Sequence, residues 1–113
     1  MVTYSLGEFE EVVLLTVAIL QKNAYGVSIK LDIQKRLNRK VSVGALQSAL
    51  RRMERKGYIK SHFGEATPER GGKRKRYFEI TLNGKKAVSH AMEDRISLWK
   101  ASPELLTELG RLI

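Results

Sequence analysis

Two groups of side chains carry the chemistry that this sequence offers. The first is Gln47, Ser48, Arg51, Arg52 and Arg55; the second is the unbroken run Lys73-Arg74-Lys75-Arg76. Guanidinium and ammonium groups bind anions, and phosphate is the anion most often met in series. An arginine fork also matches the edge of guanine and a glutamine amide that of adenine, so the first group has the donors and acceptors to read bases. The same residues equally make an ordinary solvated surface, and their types alone leave both readings open.

Catalytic chemistry finds no comparable grouping. His62 and His90 have no patterned partner, and the acidic residues lack metal-ligand spacing. There is no cysteine, hence no disulfide, thiolate site or thiol nucleophile. We expect no enzyme, no metal and no cofactor. The longest apolar run, Val12–Leu20, is broken by Thr16 and falls well short of the ~20 residues of a membrane span. No basic region precedes an apolar stretch at the N-terminus, so a cytoplasmic protein without a secretion signal is expected.

Charge supports a polyanionic partner. Lys and Arg number 21 against 12 Asp and Glu, giving a formal net charge of +9 over 113 residues. The net charge is +2 over residues 1–50, +8 over 51–86 and −1 over 87–113. The excess therefore marks one contact surface rather than general solubility.

The elements that position these residues follow from periodicity. Ser42 is a good helix N-cap, and Leu46, Leu50 and Met53 recur behind it at helical spacing. The opposite face then carries Gly44, Ser48, Arg51 and Arg55, flanked by Gln47 and Arg52, and Gly57 ends the helix. Before it, an acidic turn at 8–11 leads into an almost wholly apolar stretch to Leu20, read as a central helix buried on most sides. Val27, Ile29 or Lys30, Ile33 and Leu37 form a second stripe, and Val41 is read as a brief edge strand. Two short helices, a tight link and the Ser42-capped helix make a helix-turn-helix.

Ile59–Phe63 alternates as a strand with Ile59 and Phe63 inward. Residues 64–72 are turn-forming, and 73–80 return with Phe78 and Ile80 inward. This is a basic hairpin, a wing. Tyr25, at the start of the second helix, either offers its hydroxyl to a phosphate or packs as a core ring. Thr81 caps a long helix to about Ala101, Ser102-Pro103 stops it, and a short helix with Leu105, Leu109 and Leu112 comes after it. On the long helix Met92, Arg95 and the only tryptophan, Trp99, form a stripe. It packs within its own chain, pairs two chains, or stacks a planar ligand.

The chain resembles the PadR family of winged-helix transcriptional regulators over roughly Leu6 to Ala91. The resemblance rests on the first helix, on Tyr25-Gly26, on Leu50–Ile59, on the basic strand Gly71–Phe78 and on the turn Ile80–Gly84, in that order and spacing. It implies a homodimer held largely by the C-terminal helix, usually a repressor on an inverted repeat. It also implies, in some members, release by a small aromatic compound, for which Trp99 is the nearest candidate, with Met92 and Arg95 of its stripe as the expected ligand neighbours. Where the family's third helix commonly begins Thr-Leu-Tyr, this chain has Ala45-Leu46-Gln47.

The expected fold is therefore mainly α with a small β-hairpin: a winged helix-turn-helix over residues 1–81 and dimerisation helices over 82–113. The expected function is regulation of transcription through double-stranded DNA. Gln47, Ser48 and Arg51 would meet base edges, with Arg52 and Arg55 nearer phosphates and Ser42 also in contact with DNA. Tyr25, Lys73, Arg74, Lys75 and Arg76 would hold the backbone. A winged helix that binds a partner protein instead, without sequence-specific DNA binding, is the alternative.

Overall fold

Ser42 does start a helix: its Oγ accepts the Ala45 N–H at 3.1 Å, satisfying a first-turn donor. The structure is a computed structural model and describes residues 4–112 apart from 67, 69, 70, 72 and 73. The chain folds as α1 (Glu8–Leu20), a 3-10 turn (Gln21–Asn23), α2 (Gly26–Leu37) and α3 (Val43–Arg55). Then come β1 (Ile59–Ala66), β2 (Arg74–Ile80), α4 (Leu82–Lys100) and α5 (Pro103–Leu112). It is a winged helix-turn-helix, mainly α, with one antiparallel two-stranded hairpin.

The core is the place where three helix stripes and the hairpin meet. Val13, Leu14 and Val17 of α1, Ile29 and Ile33 of α2, and Leu46, Leu50 and Met53 of α3 are buried together, closed by Ile59, Phe78, Ala87 and Val88. The end of α3 is fixed by its backbone. Gly57 takes φ +79°, its N–H donates to the Glu54 carbonyl at 3.0 Å, and the Tyr58 N–H donates to the Met53 carbonyl at 2.9 Å. This is the paired-bond helix stop that a left-handed glycine permits. Tyr58 in turn accepts the Thr81 N–H at 3.0 Å, and Thr81 Oγ1 donates to the Gly57 carbonyl and accepts from Gly84. The start of α4 is thus tied to the end of α3.

Several expectations change. Val27 and Leu37 are exposed, because the buried stripe of α2 runs through Ile29 and Ile33. The first helix is not buried on most sides: Leu15 and Ile19 face outward, while Glu10 and Glu11 of its acidic turn are buried. Val41 forms no strand. It is buried, with its N–H donated to Gln34 Oε1 at 3.2 Å, and the bridge to the hairpin's free edge is made instead by Tyr25 with Tyr77. Phe63 is 57% exposed. It pairs with Arg76 on the core-side face of the hairpin but lies past the edge of the core, where Arg74 and Arg76 cover its ring at 5.6 and 5.9 Å.

The N-terminal half of α4 joins the core, through buried Gly84, Ala87 and Val88 and half-buried Met92; from Glu93 to Lys100 every side chain is exposed. Gly84 sits so close that a Cβ there would lie 2.1 Å from the Tyr58 carbonyl oxygen, a backbone atom that cannot swing aside. Gly84→Ala is therefore expected to cost about 3 kcal/mol, the upper end of overpacking penalties. Gly44→Ala, where nothing lies within 4 Å, is expected to be neutral or stabilising. Urea unfolding midpoints measure both, and an unchanged midpoint for Gly84→Ala would contradict this packing.

Candidate nucleic-acid interface

α3 presents its polar face as its periodicity requires. Gln47, Arg51 and Arg55 are exposed and Ser48 is half-buried, opposite the buried Leu46, Leu50 and Met53. Arg51 and Arg55 have no ion-pair partner among the described residues. Ser42 is exposed at the tip, its hydroxyl already accepting from Ala45. Gln47 lies against the start of α2, its Nε2 3.5 Å from where a Cβ on Gly26 would stand. The N–H groups of that first turn of α2 are left over by helix geometry, which makes it electropositive.

Tyr25 is the N-cap of α2, and its N–H is held by Ser28 Oγ at 2.9 Å. Its half-buried ring packs edge-on against Tyr77 at 5.6 Å, and Lys75 Nζ stands 4.1 Å above the ring centre. The ring is thus packed, with a wing cation over it. The bridge to Tyr77, with Phe78 N–H donating to the Ala24 carbonyl at 2.8 Å, joins the outer edge of the wing to the same spot. Gln47, Tyr25 and Lys75 therefore converge where α2 begins.

The remaining cations are divided between open and engaged. Arg74 Nε donates to the Gly64 carbonyl at 2.8 Å, leaving the rest of its exposed guanidinium free of acidic partners among the described residues. Arg76 is bound on both sides, to Glu54 Oε1 at 3.0 Å and to Ser61 Oγ at 3.0 Å. Arg52 is half-buried and faces inward to Glu10 at 3.8 Å. Lys73 lies outside the described residues.

Behind α3, Glu10 accepts the Gly7 N–H at 2.9 Å and Lys56 Nζ at 3.0 Å. Burial pushes the Glu10 carboxyl up. The Gly7 N–H, the Lys56 ammonium and the Arg52 guanidinium outweigh this and hold it below its ordinary value. Lys56 also donates to the Ser5 carbonyl, so one lysine links the N-terminal segment, α1 and the end of α3.

Of the three residues expected to hold a ligand, Trp99 and Arg95 share a groove and Met92 lies apart from it. Met92 packs against the core, and Arg95 donates to Glu11 at 2.9 Å. Trp99, 45% exposed, lines an open groove with Arg95, Ile96, Leu98 and Ser102. Among the described residues no cluster of acids or histidines is placed to hold a metal, and no helix is long and apolar enough to cross a membrane.

Sequence reasoning missed Glu10, Glu11, Glu54 and Ser61. Glu10 and Glu11 showed only as part of an acidic turn and Glu54 as the sole acid between Arg51 and Lys60, while Lys56, Arg95 and Arg76, their cationic partners, are distant in sequence.

Comparison with known proteins places this arrangement. A family model described as the transcriptional regulator PadR-like family matches residues 14–90. An uncharacterised protein of Lysinibacillus sphaericus is 33% identical over 78 residues, covering 67% of this chain and 69% of that one. A PadR family transcription regulator of Clostridium difficile is similar with 28% identity and a TM-score of 0.66, covering 84% of this chain and 97% of its own. A transcriptional regulator of Clostridium thermocellum matches at 26% identity and TM-score 0.64, over 88% and 93% of the two chains.

The Glu10 cluster makes a prediction about acid. A carboxyl lowered by folding contributes stability above the ordinary carboxylate range, and that contribution disappears as pH falls through its lowered value. Glu10→Gln should therefore be less stable than the parent at neutral pH. The gap should close as pH falls through the carboxylate range and Glu10 takes up its proton. Urea unfolding across that range measures it, and a gap independent of pH would contradict the assignment.

Proposed function

The chain belongs to the PadR-like family of transcriptional regulators, DNA-binding proteins and not enzymes, and from that premise we propose that it acts as a homodimeric repressor on an inverted repeat. The observation that carries the reading is the convergence of Gln47 on α3, Tyr25 at the start of α2 and Lys75 on the wing. A base-reading amide there adjoins a helix N-terminus and an ammonium group suited to the flanking phosphate. In this reading Gln47, Ser48 and Arg51 enter the major groove, with Ser42 at the tip of the helix. Arg55, Tyr25, Lys73, Arg74 and Lys75 hold phosphates. Arg52 and Arg76, engaged by Glu10 and Glu54, shape the surface from behind.

Residues 1–81 form the DNA-binding part and 82–113 the pairing part. Ile96, Leu98, Trp99, Leu105 and Leu109 are exposed apolar side chains on α4 and α5, and Leu98 is 70% exposed. Apolar surface gathered on two successive helices favours a second copy, whose two-fold axis matches a palindrome. A dimer seated on promoter DNA blocks transcription by occupancy alone, so repression is the mode proposed. A flat aromatic compound stacking on Trp99 in the groove of Arg95, Ile96 and Leu98 would compete with that pairing and release the DNA.

Two experiments test these readings. On a selected duplex, Arg51→Ala should cost roughly 1–3 kcal/mol and relax preference at one base pair. Lys75→Ala should weaken binding to all duplexes alike and flatten the salt slope by about one. Fluorescence anisotropy titrations at several salt concentrations measure both, and an unaltered base preference for Arg51→Ala would overturn the groove assignment. For pairing, the parent should sediment at twice its 12.8 kDa. Leu98→Asp combined with Trp99→Asp should sediment as a single chain, and a parent that is itself a single chain would overturn the dimer.

A further inference from the structure

Glu54 is an anomaly on a surface built for DNA. It stands on α3 between Arg51 and Arg55, where a carboxylate repels phosphate and lowers affinity for any duplex. Each of its two oxygens accepts a hydrogen bond. Ser61 Oγ on β1 donates to Oε2 at 2.8 Å, and Arg76 Nη2 on β2 donates to Oε1 at 3.0 Å. Arg76 Nε donates to the Ser61 hydroxyl at 3.0 Å and closes the circuit. The single Ser61 proton is used toward Glu54 and its lone pair toward Arg76, so each donor in the ring has its acceptor. The guanidinium is further seated over the rings of Phe63 and Phe78, at 5.9 and 5.7 Å.

This ring joins the recognition helix to both strands of the wing. It lies at the wing's base: the register slips between Phe63 and Ala66, just beyond it, on the way to the hairpin tip. The backbone corner at Gly57, Tyr58 and Thr81 ties the wing to the end of α3, and the ring adds directional side-chain contacts from Glu54 to both strands. The fork of Arg76 makes them directional, because two nitrogens of one plane must meet two acceptors at once.

We propose that Glu54 is a positioning residue for sequence discrimination. Through Ser61 and Arg76 it fixes the wing's angle to α3, and it withholds Arg76 from phosphate. Affinity for arbitrary DNA is thereby lowered while the match between groove contacts and wing contacts is sharpened. This rests on the DNA-binding reading and adds to it a device that sets selectivity.

The test compares the parent chain with Glu54→Ala, which keeps a good helix former at a partly exposed site, on a selected duplex and on its scrambled version. We expect Glu54→Ala to bind the scrambled duplex more tightly, with a salt slope steeper by about one as Arg76 becomes available. The ratio of selected to scrambled affinity should fall roughly tenfold, the size of one lost base contact. Arg76→Lys keeps the charge but not the fork, and should lower the same ratio with its thermal midpoint nearly unchanged.

If Glu54→Ala tightens both duplexes equally, its carboxylate acts by charge alone and the positioning role is overturned. Equal weakening on both duplexes together with a lower thermal midpoint would overturn it as well, as a merely structural effect. In either case a parent that still discriminates leaves the DNA-binding reading standing. A parent without discrimination overturns both.

Discussion

The contact between Gly84 and the Tyr58 carbonyl governs how the parts of this molecule are set. At that point the stop of α3, the entry to β1, the exit from β2 and the start of α4 come within hydrogen-bonding distance of one another. Glycine is required because a Cβ would strike backbone, and Gly57 is required because the helix stop needs a positive φ. A rigid corner results. It passes the direction of α3 both to the wing and to the long helix that carries the exposed apolar face. The relation between α3, the wing and the exposed apolar face of α4 is therefore set in the backbone.

Charge is sorted around that corner rather than spread. Arg52 and Lys56 turn inward to Glu10, Arg95 to Glu11 and Arg76 to Glu54, while Arg51, Arg55, Arg74 and Lys75 face outward without acids among the described residues. The engaged cations have carboxylates beside them. They fix α3 from behind, at the side and through the wing. Membership of a family of DNA-binding regulators gives this sorting a purpose. A recognition helix must be held at a constant angle if a one-residue change in register is to be felt as a changed base.

The sequence made the helix-turn-helix and wing legible because their signals are local. The Ser42 cap, the Leu46–Leu50–Met53 spacing and Gly57 delimit α3 within a single window, and the alternation around Phe78 marks the returning strand. Phe63 went astray because a period of two tells which face a side chain takes, not where the core ends. The α2 stripe at Val27 and Leu37 failed since three-or-four spacing admits neighbouring registers, and burial against α1 and α3 decides among them. The acids were unreadable for another reason. Glu11 finds Arg95 across 84 residues and Glu10 finds Lys56 across 46, and no periodicity encodes such pairs.

The central claim is that two copies of this chain set their α3 helices into successive turns of one duplex. Selection of bound sequences from a random pool of duplex DNA at physiological salt tests it most directly. The expected result is enrichment of a two-fold symmetric sequence with half-sites about 10 base pairs apart, or a multiple of that. A bound pool with the same base distribution as the input, or enrichment of a single unrepeated half-site, would contradict it.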